Sequence, residues 1–140
     1  MSAASGTDGG APRHQQRERA LGLLYEAELK GEGPLEVLAA LPVRPDAYVV
    51  TLHEGAVATR DDADRLIGAA AVGWPIERMA VIDRIALRLA VAELLADDGP
   101  PLAVVIDEAV ELVKTYSTDD SGSFVNGILS TIAAEVRAAG

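Results

Sequence analysis

The feature of this sequence that most constrains its fold is the helical spacing of its apolar residues. Downstream of Pro75 they recur every three or four positions, at Val81, Ile85, Leu89, Ala92 and Leu95. This spacing matches the 3.6-residue turn of an α-helix and not the alternation of a β-strand. The stripe is long enough to predict a central helix that is largely buried.

Glycine and proline residues divide the rest of the chain into shorter segments with the same period. The run Val104–Ile106 has the composition of a strand, but Ala109 and Val113 continue it at helical steps. No segment is predicted to form a strand, so the expected fold class is all-α. We expect a first helix from His14 to Gly31, a short helical stretch after Pro34, a helix after Asp46 as N-cap and another after Asp61 and Asp62. Three more are expected within 76–96, over 102–116 and in the C-terminal segment.

The composition excludes several functional classes. A chain of 140 residues that is 49% hydrophobic can form one domain with its own core. It has no cysteine, and His14 and His53 are far apart with no HExxH pair, so we expect no disulfide, metal or cofactor. Without a signal sequence or an apolar stretch of membrane-spanning length, it is expected to be cytoplasmic with no membrane contact. The small polar residues 1–12 predict a disordered tail.

The charge is strongly negative but unevenly distributed. The formal net charge is -10, yet residues 1–30 carry four basic and four acidic groups and sum to zero. The acidic body argues against general nucleic-acid binding. In the neutral N-terminal part, Arg13, Arg17 and Arg19 are interrupted only by Glu18. The sequence therefore predicts a small basic patch, projecting from the first turns of the first helix, on an acidic protein.

The C-terminal stretch DSGSFVNGILSTIA gives conflicting signals. Asn126-Gly127 between apolar residues is a strong hairpin signal. However, Phe124, Ile128 and Ile132 lie at helical spacing, which favours a helix through the pair. A glycine within a helix costs about 1 kcal/mol relative to alanine. We therefore expect another interaction at this position to offset that cost.

Four segments, taken in order, resemble the NusB family of bacterial transcription antitermination factors over residues 13–136. They are RHQQRERALGLLYEAEL, VIDRIALRLAVAEL, VVIDEAVELVKTYS and DDSGSFVNGIL. The resemblance implies about seven helices in two small packed bundles, forming an RNA-binding domain over residues 13–138. It further implies a protein that is not an enzyme. The partners implied are the boxA element of nascent, single-stranded ribosomal RNA, ribosomal protein NusE and the RNA polymerase antitermination complex.

The resemblance also implies which residues bind RNA. Its arginine-rich element lies at the start of the first helix, where Arg13 and Arg17 match basic positions and His14 and Gln15 are less basic than usual. Fewer phosphate contacts are therefore expected, each of them sensitive to salt. Further along, Tyr25 either stacks on an unpaired base or packs half in the core. Asp120 is placed near the joint surface for RNA and NusE.

For the protein partner, the resemblance points to Glu77, Asp83 and Phe124. Complementary charge fits, because ribosomal proteins are typically basic and this body is acidic. Asp83 is expected to point away from the buried stripe, and its alternative role is to favour the helix dipole. The side chain of Phe124 either packs in the core or is shared with an interface.

The same resemblance offers a structural reason for Asn126 and Gly127. The corresponding segment opens the last helix of the family, so a missing side chain at Gly127 would permit close contact with another helix. The amide of Asn126 would cap or bridge backbone groups.

Two other functions compete with this interpretation. The same fold could act mainly as a homodimer or protein scaffold with weak or occluded RNA binding, as the sparse basic patch suggests. It could also be a fragment of a ribosomal RNA methyltransferase, since NusB-like modules precede such domains. The chain ends at Gly140, soon after the last predicted helix, so we expect no cofactor domain.

Overall fold

The computed structural model describes residues 11–139, apart from the side chains of 137–139, and the regular secondary structure of this part is helical. No strand occurs in the described range, which confirms the all-α prediction. Of the expected tail 1–12, residues 1–10 lie outside the described residues. The helices of the described range are α1 (Arg13–Lys30), α2 (Pro34–Ala39), α3 (Ala47–Ala58), α4 (Arg60–Ala70), α5 (Val81–Leu95), α6 (Leu102–Tyr116) and α7 (Ser121–Ala139), with a 3₁₀ turn at Ile76–Arg78.

Helix α5 is the structural centre, as the apolar stripe predicted. On one side it packs against α1 and α3, which also contact each other and α2. On the other side it packs against α4, α6 and α7. Eleven of its 15 residues are buried, including the charged Asp83, Arg88 and Glu93. The two small bundles therefore share one helix.

The helix ends explain how α1 and α3 come together. Helix α1 ends at Gly31 in the left-handed conformation (φ 65°), as predicted, and the Glu32 N–H donates to the Ala27 carbonyl. Asp46 occupies the N-cap position of α3, but its side chain does not cap that helix. Instead its Oδ2 accepts a hydrogen bond from the Ala11 N–H at 3.0 Å. The cap prediction was wrong in this respect, because the carboxylate instead accepts the N–H of Ala11, two residues before α1 begins.

Helix α7 runs straight through Asn126 and Gly127, so the helical interpretation was right and the hairpin signal misleading. The expected close contact at Gly127 is wrong. A Cβ built there would meet nothing within 4 Å, and Gly127 is exposed. The stripe that α7 buries contains Val125, Leu129 and Ile132, which leaves Asn126 and Gly127 on the solvent side. The Asn126 amide oxygen accepts a hydrogen bond from the Ser130 hydroxyl at 3.2 Å, and no bond from this amide to a backbone group occurs among the described residues.

Candidate functional site

Arg17, which was predicted to project from the first turns of α1, is buried in the structure. It is only 5% exposed. Its Nε and Nη2 donate to Oε1 and Oε2 of Glu93 on α5, at 3.1 Å and 2.8 Å. The expectation of an exposed Arg17 was wrong, because a buried carboxylate from a distant helix holds the guanidinium. A direct contact between Arg17 and RNA remains only a prediction.

Glu93 has a second partner, Tyr48 on α3. The Tyr48 hydroxyl donates a short hydrogen bond to Glu93 Oε2. Burial and this hydrogen bond both raise the pKa of Tyr48, so the hydroxyl stays protonated. Burial alone would lower the pKa of Arg17, but the hydrogen bonds and charge of Glu93 raise it overall. The cluster thus joins α1, α3 and α5 through one carboxylate.

Arg13 remains at the surface and lies over the ring of Tyr48. Its guanidinium carbon is 3.7 Å from the ring centroid, the geometry of a cation–π contact. The guanidinium carbon of Arg17 is 5.8 Å from the same centroid. We call the outer part of this arrangement the Arg13–Tyr48 surface. Sequence reasoning missed Tyr48, since its only local signal is an aromatic residue near the start of a predicted helix.

His14 faces carboxylates on two helices. Its Nδ1 lies 2.9 Å from Oε1 of Glu108 on α6, and its Nε2 lies 3.7 Å from Oε2 of Glu18. The hydrogen bond with Glu108 raises the pKa of His14. These carboxylates compete with any phosphate for the imidazole. Gln15 is exposed and available for contact.

Tyr25 lies apart from the Arg13–Tyr48 surface, and Asp120 belongs to a different segment of the chain. Tyr25 is half-buried against the core, about 18 Å along α1 from Arg13 at a rise of 1.5 Å per residue. Asp120 is exposed just before α7, and its carbonyl accepts the Phe124 N–H at 3.2 Å. Their predicted roles at an RNA surface remain predictions.

Asp83 points inward, contrary to the sequence expectation. It is 6% exposed, and its Oδ2 accepts a hydrogen bond from the Ser121 hydroxyl at 2.8 Å. Its Oδ1 has no hydrogen-bond partner among the described residues. Ser121 begins α7, so the contact joins the starts of α5 and α7. The Asp83 side chain is therefore buried, and its burial does not support the predicted role in protein binding.

The other two residues predicted to bind the protein partner lie at the surface. Glu77 is exposed in the 3₁₀ turn before α5. Phe124 is partly buried on α7, and its ring meets Trp74 edge-on with centroids 6.4 Å apart. Trp74 is 50% exposed and Val72 is 89% exposed. Sequence reasoning treated Trp74 only as part of a helix break, and no periodic signal marked it as an exposed aromatic.

Other kinds of site find little support. Within residues 11–139, no three histidine or carboxylate side chains form a group that could hold a metal ion. None of the described helices is both long and apolar enough to cross a membrane.

Two packed helical bundles that share α5 define the class of this chain as a small all-α protein. A family model described as the NusB family matches residues 14–134. The chain therefore belongs to the NusB family, which confirms the resemblance seen in the sequence.

Individual relatives agree with this assignment. Transcription antitermination protein NusB of Saccharopolyspora erythraea is 50% identical over 128 residues, covering 86% of each chain. The structure of T. maritima NusB is 34% identical with a TM-score of 0.81, covering 89% of this chain and 92% of that one. A chain in the crystal structure of antitermination factors NusB and NusE in complex with dsRNA is 32% identical with a TM-score of 0.71. That match covers 88% of this chain and 96% of the other.

Proposed function

We propose that this protein is a transcription antitermination factor that binds the boxA element of nascent ribosomal RNA together with ribosomal protein NusE. It acts in the cytoplasm as part of an RNA polymerase antitermination complex, and it is not an enzyme. The observation that carries the proposal is the match to the NusB family over residues 14–134, with a 50% identical relative that is a transcription antitermination protein. The similarity to a chain from a complex of NusB, NusE and RNA supports the choice of partners.

Exposed side chains in two parts of the molecule support separate surfaces for the two partners. Arg13 and Gln15 are exposed at the start of α1, where RNA binding is expected. Glu77, Trp74 and Phe124 lie around the start of α5 and on α7, where NusE is expected. The acidic body favours a basic partner, because complementary charges speed and orient docking.

RNA binding by the protein alone should be weak and sensitive to salt. Arg13 and Arg19 are exposed, but Arg17 is held by Glu93 and His14 faces Glu108 and Glu18. Each phosphate contact to a single strand contributes a slope of about -0.7 in log K against log salt concentration. Two such contacts therefore give a slope of about -1.4.

The test is a titration of fluorescently labelled boxA-type RNA with the protein, with and without NusE. We expect weak binding alone, tighter binding with NusE, and a preference over an RNA of the same composition in scrambled order. Equal affinity for the two RNAs, with and without NusE, would contradict the proposal. Arg13→Ala should weaken binding while the helical circular dichroism spectrum is unchanged.

The alternative is a homodimer or protein scaffold with weak or occluded RNA binding. It is favoured by the burial of Arg17 against Glu93, which makes the basic patch smaller than the sequence predicted. Size-exclusion chromatography with light scattering distinguishes the two. A dimer whose mass does not change when boxA-type RNA and NusE are added supports the scaffold.

A further inference from the structure

The Arg13–Tyr48 surface contains an aromatic ring that packs only in part against the core. Tyr48 is only partly buried, yet its hydroxyl is anchored to a buried carboxylate and one face of its ring is covered by a surface guanidinium. A tyrosine anchored at its hydroxyl presents a ring of fixed orientation. A fixed ring at the edge of a basic patch is suited to stacking.

We propose that Tyr48 is a stacking platform for an unpaired RNA base, and that Arg17 is a positioning residue that holds this platform through Glu93. The proposal rests on the proposed function, since it concerns the same RNA. It adds a residue on α3 to a binding element expected only on α1, and it gives Arg17 a role other than contact with phosphate.

The geometry at Tyr48 already shows that a planar group fits on the ring. The Arg13 guanidinium carbon is 3.7 Å from the centroid, a distance typical of face contact. Unpaired bases are commonly bound by stacking on aromatic side chains. A base can take the place of the guanidinium on this face. Arg13 then turns outward to the neighbouring phosphate, so one exchange supplies both a stacking and an ionic contact.

Arg17 and Glu93 fix where the ring stands. The two hydrogen bonds from Arg17 orient the Glu93 carboxylate, whose Oε2 also accepts the Tyr48 hydroxyl. Glu93 is 6% exposed and Arg17 is 5% exposed, so solvent does little to loosen the pair. Bidentate pairs of arginine and carboxylate are geometrically specific. A lysine at position 17 would keep the charge but not the two parallel bonds.

A further contact keeps the two helix starts together. The Ala11 N–H donates to Oδ2 of Asp46, two residues before Tyr48. Gln16 donates from Nε2 to the Ala11 carbonyl at 2.6 Å, which secures the same segment. The chain leading into α1 is thereby fastened to the start of α3, and Arg13 stays beside Tyr48.

The first experiment compares Tyr48→Leu with the matched control Tyr48→Phe, using labelled boxA-type RNA in the presence of NusE. Stacking on an aromatic side chain contributes directly to the affinity for an unpaired base, so Tyr48→Leu should weaken binding by roughly 5- to 150-fold. Tyr48→Phe keeps the ring and should change affinity far less. The dependence on salt should be the same for both variants and the parent, because neither substitution removes a phosphate contact.

A second experiment identifies the base. Single abasic sites are placed in turn along the RNA, and each RNA is titrated with the parent and with Tyr48→Leu. At one position the abasic site should weaken binding to the parent but cause no further loss with Tyr48→Leu. If every abasic site weakens binding to Tyr48→Leu by the same factor as it weakens binding to the parent, the platform is wrong, even if Tyr48→Leu binds weakly.

Arg17 is tested through Arg17→Lys and Arg17→Met. If Arg17 positions Tyr48, both variants weaken RNA binding without changing its salt dependence, and neither has a further effect in a Tyr48→Leu background. A lower salt slope in Arg17→Met would instead mark a phosphate contact and overturn the positioning role. The Arg17→Lys variant keeps a cation beside Glu93, so it provides the test if Arg17→Met does not fold.

The two proposals fail in different ways. If the parent does not prefer boxA-type RNA over scrambled RNA, the proposed function fails. If the parent prefers boxA-type RNA and Tyr48→Leu binds that RNA as tightly as the parent does, the proposed function stands and the platform is wrong.

Discussion

Buried polar contacts between distant helices are the most informative features at the residue scale. Arg17 with Glu93 joins α1 to α5, and Asp83 with Ser121 joins α5 to α7. Each partner lies far along the chain, 76 residues away in the first case and 38 in the second. Each contact therefore depends on the packing of the whole fold.

Removing Arg17 alone should destabilise the protein strongly. Arg17→Ala leaves the Glu93 carboxylate buried without its cation, and breaking a buried pair in this way costs about 3–5 kcal/mol. The double variant Arg17→Met/Glu93→Gln removes both charges and should lose less. Urea denaturation followed by circular dichroism measures both. Equal losses in the single and double variants would show that the unpaired carboxylate is not the cause.

Asp83→Lys should also reduce the free energy of unfolding. It places an ammonium group in a buried position and removes the acceptor of the Ser121 hydroxyl, a combination that costs about 3 kcal/mol or more. Asp83→Asn keeps an acceptor and should cost about 1 kcal/mol. Thermal unfolding distinguishes these outcomes. A melting temperature of Asp83→Lys equal to that of the parent would mean that this side chain can turn out to solvent.

His53 should make the protein less stable in acid. It is fully buried, neither ring nitrogen has a hydrogen-bond partner among the described residues, and burial lowers its pKa below 6.5. As the pH falls through 6.5, the unfolded chain binds a proton that the folded chain resists, so stability decreases until the folded pKa is passed. His14 acts in the opposite direction. Its raised pKa gives stability that is fully present below 6.5 and is lost as the pH rises through the folded value.

We therefore expect the fall in melting temperature between about pH 7.5 and about pH 5.5 to be smaller in His53→Leu than in the parent. His14→Gln should show the larger fall, because it removes the opposing contribution. An identical pH dependence in His53→Leu and the parent would show that other groups dominate.

At the scale of whole elements, α7 allows a test of whether Gly127 faces open space. Gly127 is exposed and has open space around its missing Cβ, so Gly127→Ala should raise the free energy of unfolding by up to about 1 kcal/mol. Gly122 on the same helix is the comparison, because a Cβ there would come within 3.2 Å of Lys114 Cε. Gly122→Ala should gain less. Thermal unfolding measures both, and a loss of stability in Gly127→Ala would restore the idea of a close contact.

The helices could be predicted from the sequence because their signals are local. Periodic apolar residues marked α5, and Gly31 marked the end of α1. The stripe through Val125 and Ile132 also outweighed the turn signal of Asn126-Gly127, since burying several apolar side chains contributes more than one glycine costs.

The candidate site was only partly predictable, because burial depends on partners that a helical pattern does not specify. The position of Arg17 on α1 does not reveal that its partner is Glu93 on α5. In the same way, the sequence around Asp83 is that of an ordinary acidic residue in the first turn of a helix, and it gives no sign of burial. Exposure of Glu77 was consistent with its expected role. Tyr48 became visible only when α1 and α3 were seen side by side.

At the scale of the whole molecule, the acidic surface should govern the encounter with a basic protein. Glu77→Lys reverses an exposed charge and should slow NusE association at low salt, because charges at the rim of an interface act mainly on the association rate. The free energy of unfolding of Glu77→Lys should stay within about 0.5 kcal/mol of that of the parent, as is usual for surface substitutions. Stopped-flow mixing at two salt concentrations measures the rate. An unchanged rate would place the NusE surface elsewhere.

The helix shared by the two bundles has a consequence for folding. If either bundle came apart, α5 would lose one of its packed sides while the other still held it, exposing apolar residues such as Leu87 and Val91 that are now fully covered. Exposing these apolar side chains to water is unfavourable, and because α5 belongs to both bundles, the loss of one bundle destabilises the other. The molecule should therefore unfold in one cooperative transition, with no stable half-folded form, and the backbone amides of α5 should be the last to exchange with solvent.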